Sequence, residues 1–376
     1  MFKYLLTNLK KKFLFHKPKK KKYLIIEKSE SDILLNLLGK KNTETIFLNN
    51  EINIYLVFIL LLKLKKFNQI NYYKEAIKTV KPNFIITAID TNPNFYKLKK
   101  YYPKKIFISI QNGVRFDSIF KKEKNLKCDI IFCQNINLIN FFKKRVNSKV
   151  IILGKLRNNN ISNDTIKENN CLSYISQFRD RNENINNINF FGKYNKLTWG
   201  EYIQSEKKLV ILLNNFCKKN KIKFNIVGAT FNSSLEKKWY VNLMKSDKIN
   251  FISRKETNSS YNFLKKSKYI ACIDSTLGFE FLSRDKKVIF FSRNTKIKSF
   301  DEEIKFGGPT IVKNKGFFYT NEINKKEVKR LMNNITSCNK KNWKKKINLY
   351  KKHVMFYNKG NTIFKNKIRE LETSIN

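Results

Sequence analysis

Short apolar runs of strand type alternate with longer amphipathic runs along this 376-residue chain. In the first half the strand candidates are Tyr23–Glu27, Thr45–Leu48, Asn83–Ala88, Lys105–Ile110, Cys128–Cys133 and Lys149–Leu153. Helical spacing lies between them, over 31–38, 53–67, 72–80, 95–101 and 137–145. Strands that are apolar at nearly every position, separated by helices, predict a parallel sheet covered on both faces. Pro82 and Pro103 stand just before strands, where a helix has already ended.

A second series of the same kind follows. Strands are predicted at 171–175, 223–227, 250–252, 269–273 and 287–291, with helices at 199–219, 235–245, 261–266 and 277–283. The polar, Asn-rich run Lys155–Asn170 reads as a linker, and Phe178–Leu197 as a long loop. Helical stretches over 325–335, 342–355 and 362–371 close the chain. The expected organisation is one α/β domain at 1–158, a second at 171–335 and C-terminal helices at 336–376. Two doubly wound α/β domains in tandem form a cleft, and such sheets bind ligands at the carboxyl ends of their strands.

The most apolar stretch, Ile52–Leu62, is too short to span a bilayer and is expected to be a buried helix. The basic run Lys10–Lys22 lacks a following apolar region and cleavage site, so no secretory signal is expected.

Charge changes the picture less than its size suggests. The formal net charge is +49, from 78 Lys+Arg against 29 Asp+Glu. Only 10 of the 78 are Arg, the residue favoured for bidentate phosphate and base contacts. Lys, Ile and the roughly 50 Asn share AT-rich codons, so the excess reads largely as compositional drift. Nucleic acid is not expected as a partner. The charge suits an anionic inner-membrane surface and gives a positive field around a cleft. Six cysteines without a C-x-x-C pair argue against a zinc site and suit reduced thiols in the cytoplasm.

Four strand-end motifs carry candidate chemistry. In Asp274-Ser275-Thr276-Leu277-Gly278-Phe279-Glu280 a strand runs into a helix N-terminus, which suits a phosphate. Gly278 would allow close approach, and Glu280 would accept ribose hydroxyls. Gln111-Asn112-Gly113 with Arg115 offers amides and one of the few arginines at a first-domain strand end. Asp90 and Asn92 follow another strand, with Asp90 a candidate general base for an acceptor hydroxyl. Ser176 and Arg179 end the second domain's first strand and would hold phosphate. Weaker strand-end loops lie at Ser29 and Gly228. In each case the plain alternative is a cap or a turn.

Absences narrow the chemistry. Two histidines, His16 and His353, do not support a Ser-His-Asp hydrolase or a histidine metal centre, and no metal is expected. Neither a P-loop nor G-x-G-x-x-G occurs.

The order of these motifs, continued by Cys128-Asp129-Ile130-Ile131, Gly154, Gly316-Phe317-Phe318-Tyr319-Thr320-Asn321, Trp343 and Lys359-Gly360-Asn361, resembles bacterial surface-carbohydrate biosynthesis proteins of GT-B architecture. It is more distantly similar to the CDP-glycerol glycerophosphotransferases. The resemblance implies a Rossmann-like acceptor domain at 1–158, a Rossmann-like nucleotide-donor domain at 171–335 and C-terminal helices at 336–376 packing back toward the first. It puts a nucleotide-diphosphate near Ser275, Thr276, Gly278 and Glu280, with Ser176 and Arg179 nearby. Those glycerophosphotransferases carry His-Gly where this chain has Asn112-Gly113. Asn is no base, so Asp90 is the candidate and a sugar is the better donor group. The expected activity is metal-independent, cofactor-free transfer of a sugar from a nucleotide donor to a surface-polysaccharide or lipid-linked acceptor. It would take place in the cytoplasm, peripheral to the inner membrane. The alternatives are a polyol-phosphate transferase, a nucleotide-sugar epimerase or a non-catalytic basic module.

Overall fold

The computed structural model describes residues 12–113, 123, 125–161, 166–178, 199–231, 233–273, 275–291 and 315–375. The chain forms two compact units: Met1–Ile161 together with Phe356–Asn376, and Ser162–Met355.

In the first unit the strands are β1 (Lys12–Leu14), β2 (Tyr23–Ile25), β3 (Thr43–Thr45), β4 (Glu51–Asn53), β5 (Phe84–Thr87), β6 (Ile106–Ile110), β7 (Leu126–Cys133) and β8 (Val146–Ile152). Helices are α1 (Ser31–Leu38), α2 (Ile54–Leu62), α3 (Gln69–Val80), α4 (Pro93–Leu98), α5 (Asn137–Lys143) and α6 (Leu156–Asn160). Six strands form one parallel sheet in the order β3-β2-β5-β6-β7-β8. Alternate residues feed opposite cores: Leu24, Ile85 and Phe107 pack with Leu56, Tyr72 and Tyr73, while Tyr23, Ile25, Phe84 and Ile108 pack with Ile33 and Leu34. Burial on both faces is the reason these strands are apolar throughout.

Asparagine has a local use here. Asn53, Asn68 and Asn92 accept from N–H groups in the first turns of α2, α3 and α4. Each such cap contributes about 1 kcal/mol.

Three details depart from the sequence reading. β1 pairs with β4 in a separate two-stranded parallel sheet, hidden in the sequence by the surrounding lysines. α2 is only half buried: Leu56, Val57 and Leu60 face the core, whereas Phe58, Leu61 and Leu62 face solvent. Within the expected linker Lys155–Asn170, Leu156–Asn160 is α6, and Leu156, Arg157, Asn158 and Asn159 are buried in it.

In the second unit β9 (Asn169–Ile175), β10 (Lys223–Val227), β11 (Phe251–Ile252), β12 (Ser267–Cys272), β13 (Lys287–Phe291) and β14 (Tyr319–Thr320) form a parallel sheet ordered β11-β10-β9-β12-β13-β14. Its helices are α7 (Trp199–Lys219), α8 (Ser233–Met244), α9 (Ser259–Leu264), α10 (Thr276–Ser283), α11 (Lys325–Ser337) and α12 (Lys340–Val354). α12 is anchored by the buried Trp343, whose Nε1 donates to Lys286 O at 3.1 Å, and by Lys351 on Asp285 at 2.6 Å. The segment 336–376 is therefore divided: α12 belongs to the second unit, and the chain rejoins the first at Phe356.

The returning segment is clasped to the first unit. Phe356 N–H donates to Gln134 O at 2.8 Å. Gly154 has φ +83, and a Cβ there would overlap Phe356 O, so only glycine fits. Asn159 donates to Leu153 O at 2.9 Å and to Asn361 Oδ1 at 3.0 Å, and accepts from Asn358 N–H at 2.9 Å. Asn361, at φ 57, donates in turn to Leu156 O at 3.1 Å. The final helix, α13 (Thr362–Thr373), then seats Phe364 against Phe132, with ring centroids 5.4 Å apart.

Candidate functional site

A doubly wound sheet opens where the chain leaves two neighbouring strands in opposite directions. In the second unit that point lies between β9 and β12. Their register, Ala271 beside Tyr174, brings Ser176 level with Ile273 at the carboxyl ends. The topology thus brings Ser176, Ser275 and Thr276 to one end of one sheet. Arg179 and Asp274, expected here, lie outside the described residues.

These residues differ in availability. Ser176 is buried; its N–H donates to Val227 O at 3.0 Å, and its hydroxyl accepts from Phe178 N–H at 3.0 Å and stands 2.8 Å from the Tyr240 oxygen. Ser275 is the N-cap residue of α10 by position, yet its side chain makes no capping bond, and Ser275 and Thr276 are both half-exposed. Gly278 has a packing cause: a Cβ would overlap Cys272 Sγ and come within 3.1 Å of Phe290. Its lack of a side chain lets α10 lie close on β12 and β13. Glu280 is buried and accepts from Tyr261 of α9.

Two carboxylates missed in the sequence organise this end of the sheet. Glu206 on α7 accepts from Tyr174 at 3.0 Å, Tyr240 at 2.7 Å and Gln177 N–H at 2.7 Å. Burial, and then the Glu206 charge, push both tyrosine pKa values well up, so these phenols stay protonated donors. Glu236 on α8 accepts from Ala229 N–H and Thr230 N–H, each at 2.9 Å, and from the Thr230 hydroxyl at 2.8 Å. The loop after Gly228 therefore already donates to an internal anion.

In the first unit the corresponding point lies between β2 and β5. Glu27 follows β2, buried, and accepts from Asn92 at 3.2 Å and from Asn49 at 3.2 Å. Burial raises its carboxyl above the ordinary value, against the pull of those two amides. Ser29 is half-exposed in the same loop.

Asp90, after β5, is 0% exposed, and its Oδ1 accepts from Asn112 N–H at 2.9 Å. Tyr96 donates to Asp90 O at 2.7 Å. Asn112 is held from the other side by Lys155, whose Nζ donates to its Oδ1 at 2.7 Å and its O at 2.5 Å. The amide of Gln111 is engaged within the scaffold, accepting from Gln134 N–H and donating to Gly113 O, both at 2.8 Å. Arg115 lies outside the described residues.

Lys155 extends this set into a chain of charges. It stands 3.3 Å from Glu30, and Arg157 Nε is 3.7 Å from the other Glu30 oxygen. Arg157 grips Asp32 with two bonds of 2.9 and 2.6 Å. Burial would raise the Asp32 carboxyl, but the bonds and charge of Arg157 outweigh it and hold the pKa down. Glu30 sits at φ 55, a left-handed conformation uncommon for Glu. Among the described residues no group of three His, Cys, Asp or Glu side chains gathers where it could hold a metal ion.

A family described as "putative O-antigen biosynthesis protein" matches residues 106–372. A search of the curated proteins finds no match. Among solved structures, the chain is similar to the UDP-GlcNAc 2-epimerase from Neisseria meningitidis bound to UDP-GlcNAc, at 13% identity and TM-score 0.53, over 96% of this chain and 100% of that one. It is similar to the wall teichoic acid polymerase TagF at 12% identity and TM-score 0.55, over 95% and 90%. Sucrose-phosphate synthase from Thermosynechococcus elongatus is similar at 9% identity and TM-score 0.52, over 95% and 100%. These likenesses concern the fold, which is GT-B: two parallel-sheet α/β units, as the order of motifs implied. With its match over most of the length, the chain belongs to this family of O-antigen biosynthesis proteins.

Proposed function

We propose that the protein is a glycosyltransferase-like enzyme that moves a sugar from a nucleotide-diphosphate donor to a surface-polysaccharide or lipid-linked acceptor. The observation that carries this reading is the β9/β12 strand end, where Ser275 and Thr276 stand half-exposed at the start of α10 and the Ser275 hydroxyl is not committed to capping. The N–H groups of a helix's first turn and its positive dipole end stabilise a departing diphosphate without a metal. Ser176, Gly228 and Glu280 shape this end through hydrogen bonding and packing. Nucleotide-sugar chemistry among proteins of this fold agrees with the reading: one structural relative is bound to UDP-GlcNAc.

On the acceptor side the reading gives Asp90 the role of base, with Asn92, Gln111, Asn112, Gly113 and Ser29 around it. Because Asp90 holds the Asn112 N–H in a buried position, that role requires the 111–113 turn to move.

The test is calorimetry with a panel of nucleotides and nucleotide sugars, followed by product analysis with a labelled donor. Ser275→Ala with Thr276→Ala should weaken nucleotide binding by about 1–3 kcal/mol. Unchanged binding removes the donor-site assignment. Release of a free epimerised sugar without acceptor overturns transfer in favour of epimerisation.

A further inference from the structure

We propose that the exposed face of α2 and the turn after it form a docking surface for an anionic phospholipid bilayer. α2 is apolar all round, but only one side meets the core. On the other side Phe58 is 55% exposed, Leu61 46% and Leu62 68%, and Leu64 just beyond the helix is 95% exposed. Leu61 and Leu62 each lie one turn on from Phe58, so with Leu64 they form one patch rather than scattered single residues.

Leu64 is the telling position. Its φ is 49, in the left-handed region where glycine or asparagine usually ends a helix. Backbone preference and water both disfavour leucine there, and no core contact explains it. A surface that removes this side chain from water does.

The charge around the patch selects the surface. Lys63 and Lys65 flank Leu64 and reach back to the buried Glu75 at 2.6 and 2.9 Å, and Lys78 stands 3.9 Å from the same carboxylate. Three lysines thus share one acidic group, and the next residue, Lys66, is exposed. At the other end of α2, Lys17 lies 5.6 Å from the Tyr55 ring centroid, and Glu51 at the start of β4 is the acidic residue on that side. Apolar side chains between lysines suit an interface in which the former enter the acyl boundary and the latter meet lipid phosphates. With nine residues, α2 can lie on a bilayer but not cross it, and no helix among the described residues is long and apolar enough to do so. The inference does not depend on the transfer reaction, and none of its residues belongs to either strand-end site.

The experiment is co-sedimentation of the full chain with phosphatidylcholine vesicles, with and without ~30% phosphatidylglycerol, at two salt concentrations. The anionic vesicles should retain the protein, neutral ones should not, and salt should weaken retention. Leu62→Asp with Leu64→Asp should cut partitioning at least about tenfold while leaving the melting temperature and nucleotide-sugar binding unchanged. Aspartate tolerates the left-handed region, so the pair should fold. Equal retention on neutral vesicles, unchanged partitioning of the double variant, or a wild-type dimer that the variant dissolves would each overturn the proposal. The last outcome would make a second copy the occupant.

Discussion

Asn159 and Asn361, 202 residues apart in sequence, meet side chain to side chain at 3.0 Å in a fully buried position. Two further bonds of the pair fasten the returning segment: Asn159 accepts from Asn358 N–H, and Asn361 donates to Leu156 O. The first unit is thus closed by amides rather than by apolar packing alone.

Removing one amide should open that closure. Asn361→Ala leaves the Leu156 carbonyl and one Asn159 donor unsatisfied in the interior, at a cost of about 2–4 kcal/mol. Urea unfolding should show the loss, and a midpoint equal to that of the wild type would show that the pair contributes nothing.

Burial raises the Glu27 carboxyl in the folded chain. The folded state therefore binds the proton more readily than the unfolded one, and the associated stability is present below the unfolded value and lost as pH rises through the folded one. Glu27→Gln should melt higher than the wild type at pH 7, with the difference shrinking as pH falls toward the ordinary value of 4.5. A difference that stays constant across that range would contradict the assignment.

Asp90 has two possible jobs that kinetics separates. As a base, Asp90→Asn lowers kcat far more than it raises KM. As a brace for the Asn112 turn, it raises KM and lowers thermal stability. Lys155→Met, which frees the other side of Asn112, should then reproduce the brace phenotype and not the loss of a base.

Gly278 distinguishes packing from phosphate approach. Gly278→Ala should destabilise the second unit by about 1–3 kcal/mol, because the new methyl overlaps Cys272 and Phe290. Weakened nucleotide binding with an unchanged melting temperature would favour the approach role instead.

The sheets were legible because their strands are buried on both faces and so carry an unbroken apolar signal, as in Phe84–Thr87 and Lys287–Phe291. The clasp was not. Lys155–Asn160 is polar, and polarity reads as solvent exposure unless the partners are known; here they lie about 200 residues away. β1 was obscured similarly, since it opens on the exposed Lys12 and stands in a lysine-rich stretch of sequence. Glu206 could have been found: it precedes Leu209, Val210 and Leu213 at three, four and seven residues, so it stands on the inward stripe of α7. A lone carboxylate on an apolar stripe signals a buried hydrogen-bond hub. Glu27 and Glu30 gave less warning, since a strand-end loop gives no period to place them.

The clasp also sets an order of events during synthesis. The first sheet is translated by Ile161, but its covering helix α13 follows only after Phe356, about 195 residues later. At typical elongation rates that is roughly 10–40 s. During that interval the groove that later receives Phe364 stands open beside Phe132, while the second unit emerges. The inserted unit can finish folding before its host does, so the nascent chain should hold its longest-lived aggregation risk at the oldest part of its sequence.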